Sequence, residues 1–480
     1  MEDSLSSWEA LASEAGKPAP RLYESWEDGR SRLFGAARPL LRLWHDVSVW
    51  HPFALQVWLL IEAMRIPHER KVVPLSMYAK ASDSGRLETF RQEVGGSPDG
   101  VPYIQEAAKN STWSRPWKEK SAVDLAKRLN TQFPNQALVP RSPNRRKVVD
   151  SMLKNYGGLQ GAAYGILRGP DGAPQAAQEK YIKAMDAWAE VYANRGSSNL
   201  TLVDSRSGLP DDGDGNEAYF GGRRTQGPFL FGARPCVVDV LLLPLLERCE
   251  ANVPHPVVGG LPHLALTNWP PLDRLLAAAR EDGGLNFPFC SLLGDAISVS
   301  GVRMAVTGMV AGVSLPDPPP STALAMQRVN QQDENACREA ASRLSNNGAP
   351  VAGFAAAGSG TGRPRQEAGR RPPPTAGQLQ AVDALLRGVA RSLLICGNGT
   401  ATAAAVKSLA EDIASKAASV FGAESVRYAA QSLVFLAENT GVPRDMAVKP
   451  AAAFRAHNLL YAAAGWQAAK GSRNSRGGDL

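Results

Sequence analysis

The sequence predicts an α/β unit, then an all-helical domain, then a helical extension reached through a low-complexity segment. Three observations predict it. Between residues 40 and 130 the apolar pattern switches between short strand-like runs and helical spacing. From 144 to 281 the spacing is helical wherever it is periodic. The 35 prolines and 45 glycines of the 480 residues are unevenly spread, and low-complexity stretches such as those between 315 and 378 read as unable to bury enough apolar surface to fold. The length also exceeds the usual size of one domain.

Taken in order, residues 1–38 read as an N-terminal arm with a helical candidate around Trp8 and Leu11. The run "LLRLW" (40–44) suits a buried strand. From Pro52 to Arg65, Ala54, Val57, Trp58 and Ile61 fall at i, i+3, i+4 and i+7, and Pro52 stands early in the helix, where its missing N–H is tolerated. "HERKVVPL" (68–75) returns to a strand pattern, and a polar helix is expected near 78–93. "GGSPDGVPYIQE" (95–106) is a turn cluster leading into a short strand that starts at Val101 and Pro102. A further strand follows, and "SAVDLAKRLN" (121–130) sets Ala122, Leu125, Ala126 and Leu129 at helical spacing. The α/β unit thus covers 39–130, with 131–140 as a linker.

Residues 141–292 form the second domain, with helices expected over 144–167, 175–194, 237–251 and 269–281 and a long polar insertion before the third. In that third helix Val238, Leu242, Leu245, Leu246 and Cys249 share a face. Asp239 lies in its first turn, where a carboxylate answers exposed N–H groups. Residues 293–378 read as a partly disordered linker around one short helix near 332–345, and 379–480 as an alanine-rich helical extension.

The net charge of +7 is mild for this length, and much of the excess lies in "GRPRQEAGRR" and the terminal "KGSRNSRGGDL". No basic stripe interleaved with aromatics falls on a folded element, so no nucleic-acid partner is expected. Cys236, Cys249, Cys290, Cys337 and Cys396 are odd in number and contain no C-x-x-C pair. Reduced, buried or idle thiols are expected, and no metal site. The longest apolar stretch, "CVVDVLLLPLLERC", carries Asp239 and is too short to span a bilayer, so no membrane partner is expected. A cytoplasmic location is the expectation, or a plastid if a targeting segment precedes this chain.

An α/β unit followed by an all-helical domain resembles the glutathione S-transferases. Within them it is similar to the plant and algal group close to omega and dehydroascorbate reductase-like members. "WHPFALQVWLLIEAMRIPH" (50–68) lines up without a gap with that group's W-C-P-Y-C-Q-K-V-W-L-x-L-E-E-K-x-I-P-Y. Val101 and Pro102 fit the family's cis-proline position, and "FLFGARPCVVDVLLLP" resembles its helix-start box in the second domain. The resemblance implies a thioredoxin-like first domain, an all-α second domain, glutathione as cosubstrate and a homodimer. Glutathione would lie at His51, Val101, Pro102 and Ser121, with the acceptor cleft in the helical domain. Tyr156, Tyr164 and Trp188 either line that cleft or pack in the core.

The sequence also departs from the family. His51 and Ala54 stand at its two cysteine positions, Ser121 and Ala122 at the Glu-Ser pair that holds the γ-glutamyl end of glutathione, and Cys236 at the Ser or Thr cap. Without a protein sulfur, thiol transfer through a mixed disulfide is closed. Conjugating glutathione to a small apolar electrophile needs no such sulfur, though it still needs a thiolate. Half-ionising a thiol of pKa roughly 8.5 at neutral pH takes about 2 kcal/mol. A helix N-terminus supplies about 0.3–1 kcal/mol of it, so a hydrogen-bond donor or a cation must supply the rest. His51, as a base or a neutral donor, and Ser48, as a second hydroxyl donor, are the candidate catalytic residues. The alternative is a binding or scaffold protein that keeps the fold and has lost turnover. "GSGTG" (358–362) and "CGNGT" (396–400) follow no convincing strand and read as linker and turn.

Overall fold

The computed structural model describes residues 6–17, 31–46, 51–74, 84–108, 112–119, 121–167, 173–193, 228–232, 234–254, 260–280, 292–293, 326–327, 329–330, 332–357, 374–399, 402–440, 446 and 448–474. They fall into two compact units, Leu22–Arg303, and Met1–Arg21 with Met304–Leu480. The opening helix, α1 (Trp8–Ala15), belongs to the second of these.

The unit Leu22–Arg303 begins with β1 (Ser31–Arg32), β2 (Leu41–Asp46), α2 (Pro52–Ala63), β3 (His68–Val73), α3 (Ser84–Glu93), β4 (Tyr103–Glu106) and α4 (Ala122–Gln132). The sheet order is β1-β3-β2-β4. β2 and β3 run parallel with α2 as their crossover, and β4 lies antiparallel to β2 on its other side. A βαβ unit followed by an antiparallel strand and a closing helix is the thioredoxin-like arrangement. β1 adds a short antiparallel edge through Arg32 and His68. β2 is buried at every position because both faces of the central strand are covered. The expected further strand is reduced to a bridge between Ala107 and Trp113. The stretch 75–83, where the polar helix was expected to start, lies outside the described residues, and α3 is described from Ser84.

Among the described residues, α5 (Pro143–Leu167), α6 (Gln175–Ala193), α7 (Val237–Asn252) and α8 (Pro270–Arg280) follow. The fold is a thioredoxin-like domain followed by an all-α domain, and the chain also has a second, helical unit. From Ala54 to Ala63 every residue of α2 is buried, as befits a helix covered on all sides. One apolar core joins Leu43 and Ile104 of the sheet to Val57 and Ile61 of α2 and to Leu241, Leu242 and Leu245 of α7. Trp44, Phe90, Val101 and Tyr103 form a smaller core on the other sheet face. Gln56 crosses the larger core, donating from Nε2 to the Tyr156 hydroxyl and to the Leu241 carbonyl (2.8 Å). Tyr156 donates to the same carbonyl (2.9 Å), and Trp188 meets its ring edge-on. Tyr156 and Trp188 are therefore core residues.

In the other unit, α1 packs with α9 (Glu334–Ser345), α10 (Gly348–Ala357), α11 (Ala376–Gly397), α12 (Ala403–Phe421), α13 (Ala423–Asn439) and α14 (Val448–Asn474). Side-chain oxygens of Ser7, Asp333, Thr375 and Thr402 cap four of these helices. Trp8 donates to Asp383 (2.7 Å), and Leu11 is fully buried. Helix α10 corrects the sequence reading, which takes "GAPVAGFAAA" as linker. Its alanines and glycines show no amphipathic period, and Pro350 is tolerated in the first turn. Gly348 is needed there because a Cβ would fall 2.1 Å from the Trp8 ring. Among the described residues no helix is long and apolar enough to cross a membrane.

Candidate functional site

The site is built where β2 ends and α2 begins. His51 holds the N-cap position of α2 in extended conformation, with Pro52 at the first helical position. Its ring makes no capping hydrogen bond and packs edge-on against Phe53, 5.2 Å between centroids. No side chain at the cap position answers the first-turn amides, so the helix start is available to an anionic acceptor. The backbone N–H of His51 donates to Asp46 Oδ1 (3.1 Å), tying the loop to the last residue of β2. Ser48 lies outside the described residues.

The second wall is the turn before β4. The Val101–Pro102 peptide is cis, as the family resemblance implies. Tyr103 donates to the Ser97 carbonyl (3.2 Å) and draws the turn closed. A Cβ on Gly100 would lie 2.5 Å from the Tyr103 hydroxyl, so any side chain there would have to displace it. Asp99, in the same turn, is close enough for its carboxylate to favour the protonated form of His51.

Burial, followed by the charge of Arg248, outweighs that carboxylate and lowers the His51 imidazole to about 4. The ring is neutral at physiological pH, and its buried Nδ1 has no hydrogen-bond partner. An imidazole this acidic in its protonated form is a poor base for a thiol and a competent neutral hydrogen-bond partner. Arg248 lies on α7 and pairs with Glu247 (2.8 Å) and the Pro244 carbonyl (3.2 Å). Sequence reasoning missed Arg248, Asp99 and Asp46. The available signal for Arg248 was an arginine at i+3 and i+7 spacing from Leu245 and Leu241 in a mostly apolar helix.

Ser121 is brought to the start of α4, where its hydroxyl accepts from the Asp124 N–H (3.0 Å) and donates to the Asp124 carboxylate (2.6 Å). Its side chain is thus engaged as a helix cap. A shallow groove of about 440 Å³ runs along the same helix, lined by Glu119, Asp124, Lys127, Arg128, Thr131 and Gln132. That charged lining contains none of His51, Val101 and Pro102.

Behind the loop, His45 is fully buried, stacks on Trp58 at 5.0 Å and donates from Nδ1 to the Asp46 carbonyl (2.8 Å). Burial, and then the Arg70 charge, lower it to about 3. The folded value lies below the unfolded one, so the unfolded chain protonates first and stability falls as pH drops below about 6.5. Between pH 7 and 5 the loss from His45 is about 2 kcal/mol. His51 adds to the same trend. Urea titrations of the wild type and His45→Asn at both pH values check this, and the variant is expected to lose His45's share of the slope. Equal slopes would remove His45 as the cause.

No protein-family model and no curated protein matches the chain. Among solved structures, the chain is similar to glutathione transferase Omega 2C from Trametes versicolor, at 14% identity and a TM-score of 0.37, over 56% of this chain and 98% of that one. It is likewise similar to a glutathione transferase from Methylococcus capsulatus, at 15% identity and a TM-score of 0.32, over 53% of this chain and 98% of the other. The dehydroascorbate reductase of Chlamydomonas reinhardtii gives 15% identity and a TM-score of 0.32, over 53% of this chain and 95% of that one.

Proposed function

We propose that the chain is a glutathione S-transferase-like protein that binds glutathione at the start of α2, beside cis Val101–Pro102, and conjugates it to small apolar electrophiles. The observation that carries this reading is the uncapped start of α2, with a neutral His51 and the charge of Arg248 acting on the same position. These are the donor and the cation that a glutathione thiolate needs beyond the helix N-terminus. The thiolate would take its hydrogen bond from the neutral imidazole and lose its proton to solvent, because His51 is too weak a base to hold it. A homodimer and a cytoplasmic site of action complete the proposal.

One observation favours the alternative of a catalytically degenerate binding or scaffold protein. Ser121 already spends its hydroxyl on Asp124, and Ala122 has no polar group to offer the γ-glutamyl end. Steady-state conjugation of glutathione to chlorodinitrobenzene separates the two readings. An active transferase should lose about 10- to 100-fold in kcat/KM in His51→Ala, the equivalent of one hydrogen bond to a charged group. A scaffold should give the uncatalysed rate in both proteins.

A further inference from the structure

The unit that carries the extension holds a second set of reactive side chains, independent of the glutathione reading. Cys337 on α9, Cys396 on α11 and His457 on α14 bring their two sulfurs and one imidazole nitrogen within 4.8 Å of one another. All three side chains are on described helices of one unit. Cys337 and His457 are buried, Cys396 is partly exposed, and both cysteines are free thiols. We propose that these three residues form a binding site for a thiophilic divalent cation of the zinc type, with its fourth position open on the Cys396 side.

The imidazole carries the inference. Ser392, one turn before Cys396 on α11, donates its hydroxyl to the Val389 carbonyl (2.9 Å). Its oxygen is left to accept from His457 Nδ1–H at 2.7 Å. With the Ser392 hydroxyl donating to Val389, that hydrogen bond leaves the lone pair on Nε2, the pattern by which metal-bound histidines are oriented. Nε2 is fully buried and has no hydrogen-bond partner. A bare buried lone pair is costly, and a cation shared with two sulfurs would satisfy it.

The geometry and charge agree. In a tetrahedral zinc site the ligand atoms stand about 3.5–3.8 Å apart, so closing this cluster needs shifts of an ångström or less. Two thiolates and a neutral imidazole around a divalent cation are electroneutral, which suits a buried position. Binding converts two thiols to thiolates and releases two protons. The three ligands lie far apart in sequence on three helices, which is why cysteine spacing predicts no metal here.

Cobalt(II) titrated into the reduced full-length chain tests the site. The expected result is one equivalent bound, with thiolate-to-cobalt charge transfer in the near ultraviolet, the visible bands of a four-coordinate ion, release of two protons and displacement by zinc(II). Cys337→Ser, Cys396→Ser and His457→Gln should each abolish or strongly weaken binding, and Cys249→Ser should leave it intact. Ser392→Ala should keep the spectrum while lowering affinity about tenfold. Far-ultraviolet circular dichroism checks that each variant folds, and Ser392→Ala keeps the test decisive if a cysteine variant does not. Absence of a charge-transfer band in the folded, reduced wild type would overturn the proposal. So would bands that persist in the Cys337→Ser/Cys396→Ser double variant.

Discussion

Replacing Asp239 by alanine is expected to destabilise the Leu22–Arg303 unit by about 3–5 kcal/mol, from several buried donors left without an acceptor. Asp239 is fully buried in the first turn of α7. Its Oδ2 accepts from the Cys236 N–H (2.7 Å), and its Oδ1 accepts from the Leu230 N–H (3.0 Å) and the Tyr192 hydroxyl (2.7 Å). Burial raises the carboxyl above its ordinary range, and those same hydrogen bonds pull it back. Asparagine keeps one oxygen and turns the other acceptor into a donor facing the Cys236 N–H. Asp239→Asn should therefore cost less, about 1–3 kcal/mol. Urea unfolding with an unchanged slope and a shifted midpoint measures both. The effect reaches the site because α7 supplies the Leu241 carbonyl that anchors α2 through Gln56, and carries Arg248. Equal midpoints for wild type and Asp239→Ala would show that the α7 start is held by something else.

The second large effect is a gain. His51→Cys should acquire a reactive thiol that forms a mixed disulfide with glutathione and turns over glutathionylated substrates, neither of which the wild type is expected to do. A thiol at the start of α2 would feel the helix N-terminus and the Arg248 charge, both of which favour a thiolate. Its pKa should fall from about 8.5 to roughly 7 or below. The pH dependence of alkylation by iodoacetamide, with the wild type subtracted for its own five cysteines, gives that value. A thiol that titrates at the ordinary value would mean that the loop lacks the electrostatics assigned to it.

How much of this was legible in the sequence follows from the kind of interaction each element rests on. Pro52 with the i, i+3, i+4, i+7 apolar set read directly as α2, because it is a local pattern, whereas the cis turn at Val101–Pro102 was legible only through the family resemblance. The start of α7 was legible through Asp239, whose spacing from Cys236 is that of a capping carboxylate. Helix α10 was not legible, because its small residues carry no period and its stability comes from contacts such as Gly348 with Trp8. Arg248 was hidden for a related reason. Its influence on His51 crosses from the helical domain to the thioredoxin-like one, and no local pattern encodes such a pairing. The two thiols and imidazole of the extension, gathered from three helices, were hidden in the same way.

The central claim is that glutathione binds at the start of α2 beside the cis turn. Calorimetric titration of reduced glutathione into the full-length chain, paired with nuclear magnetic resonance of the His51 imidazole assigned through His51→Ala, tests it most directly. Saturable one-to-one binding at millimolar concentration or below is expected, with the His51 signal shifting along the same isotherm and with weaker binding in Arg248→Met. Absence of heat and of any His51 shift at millimolar glutathione would contradict it.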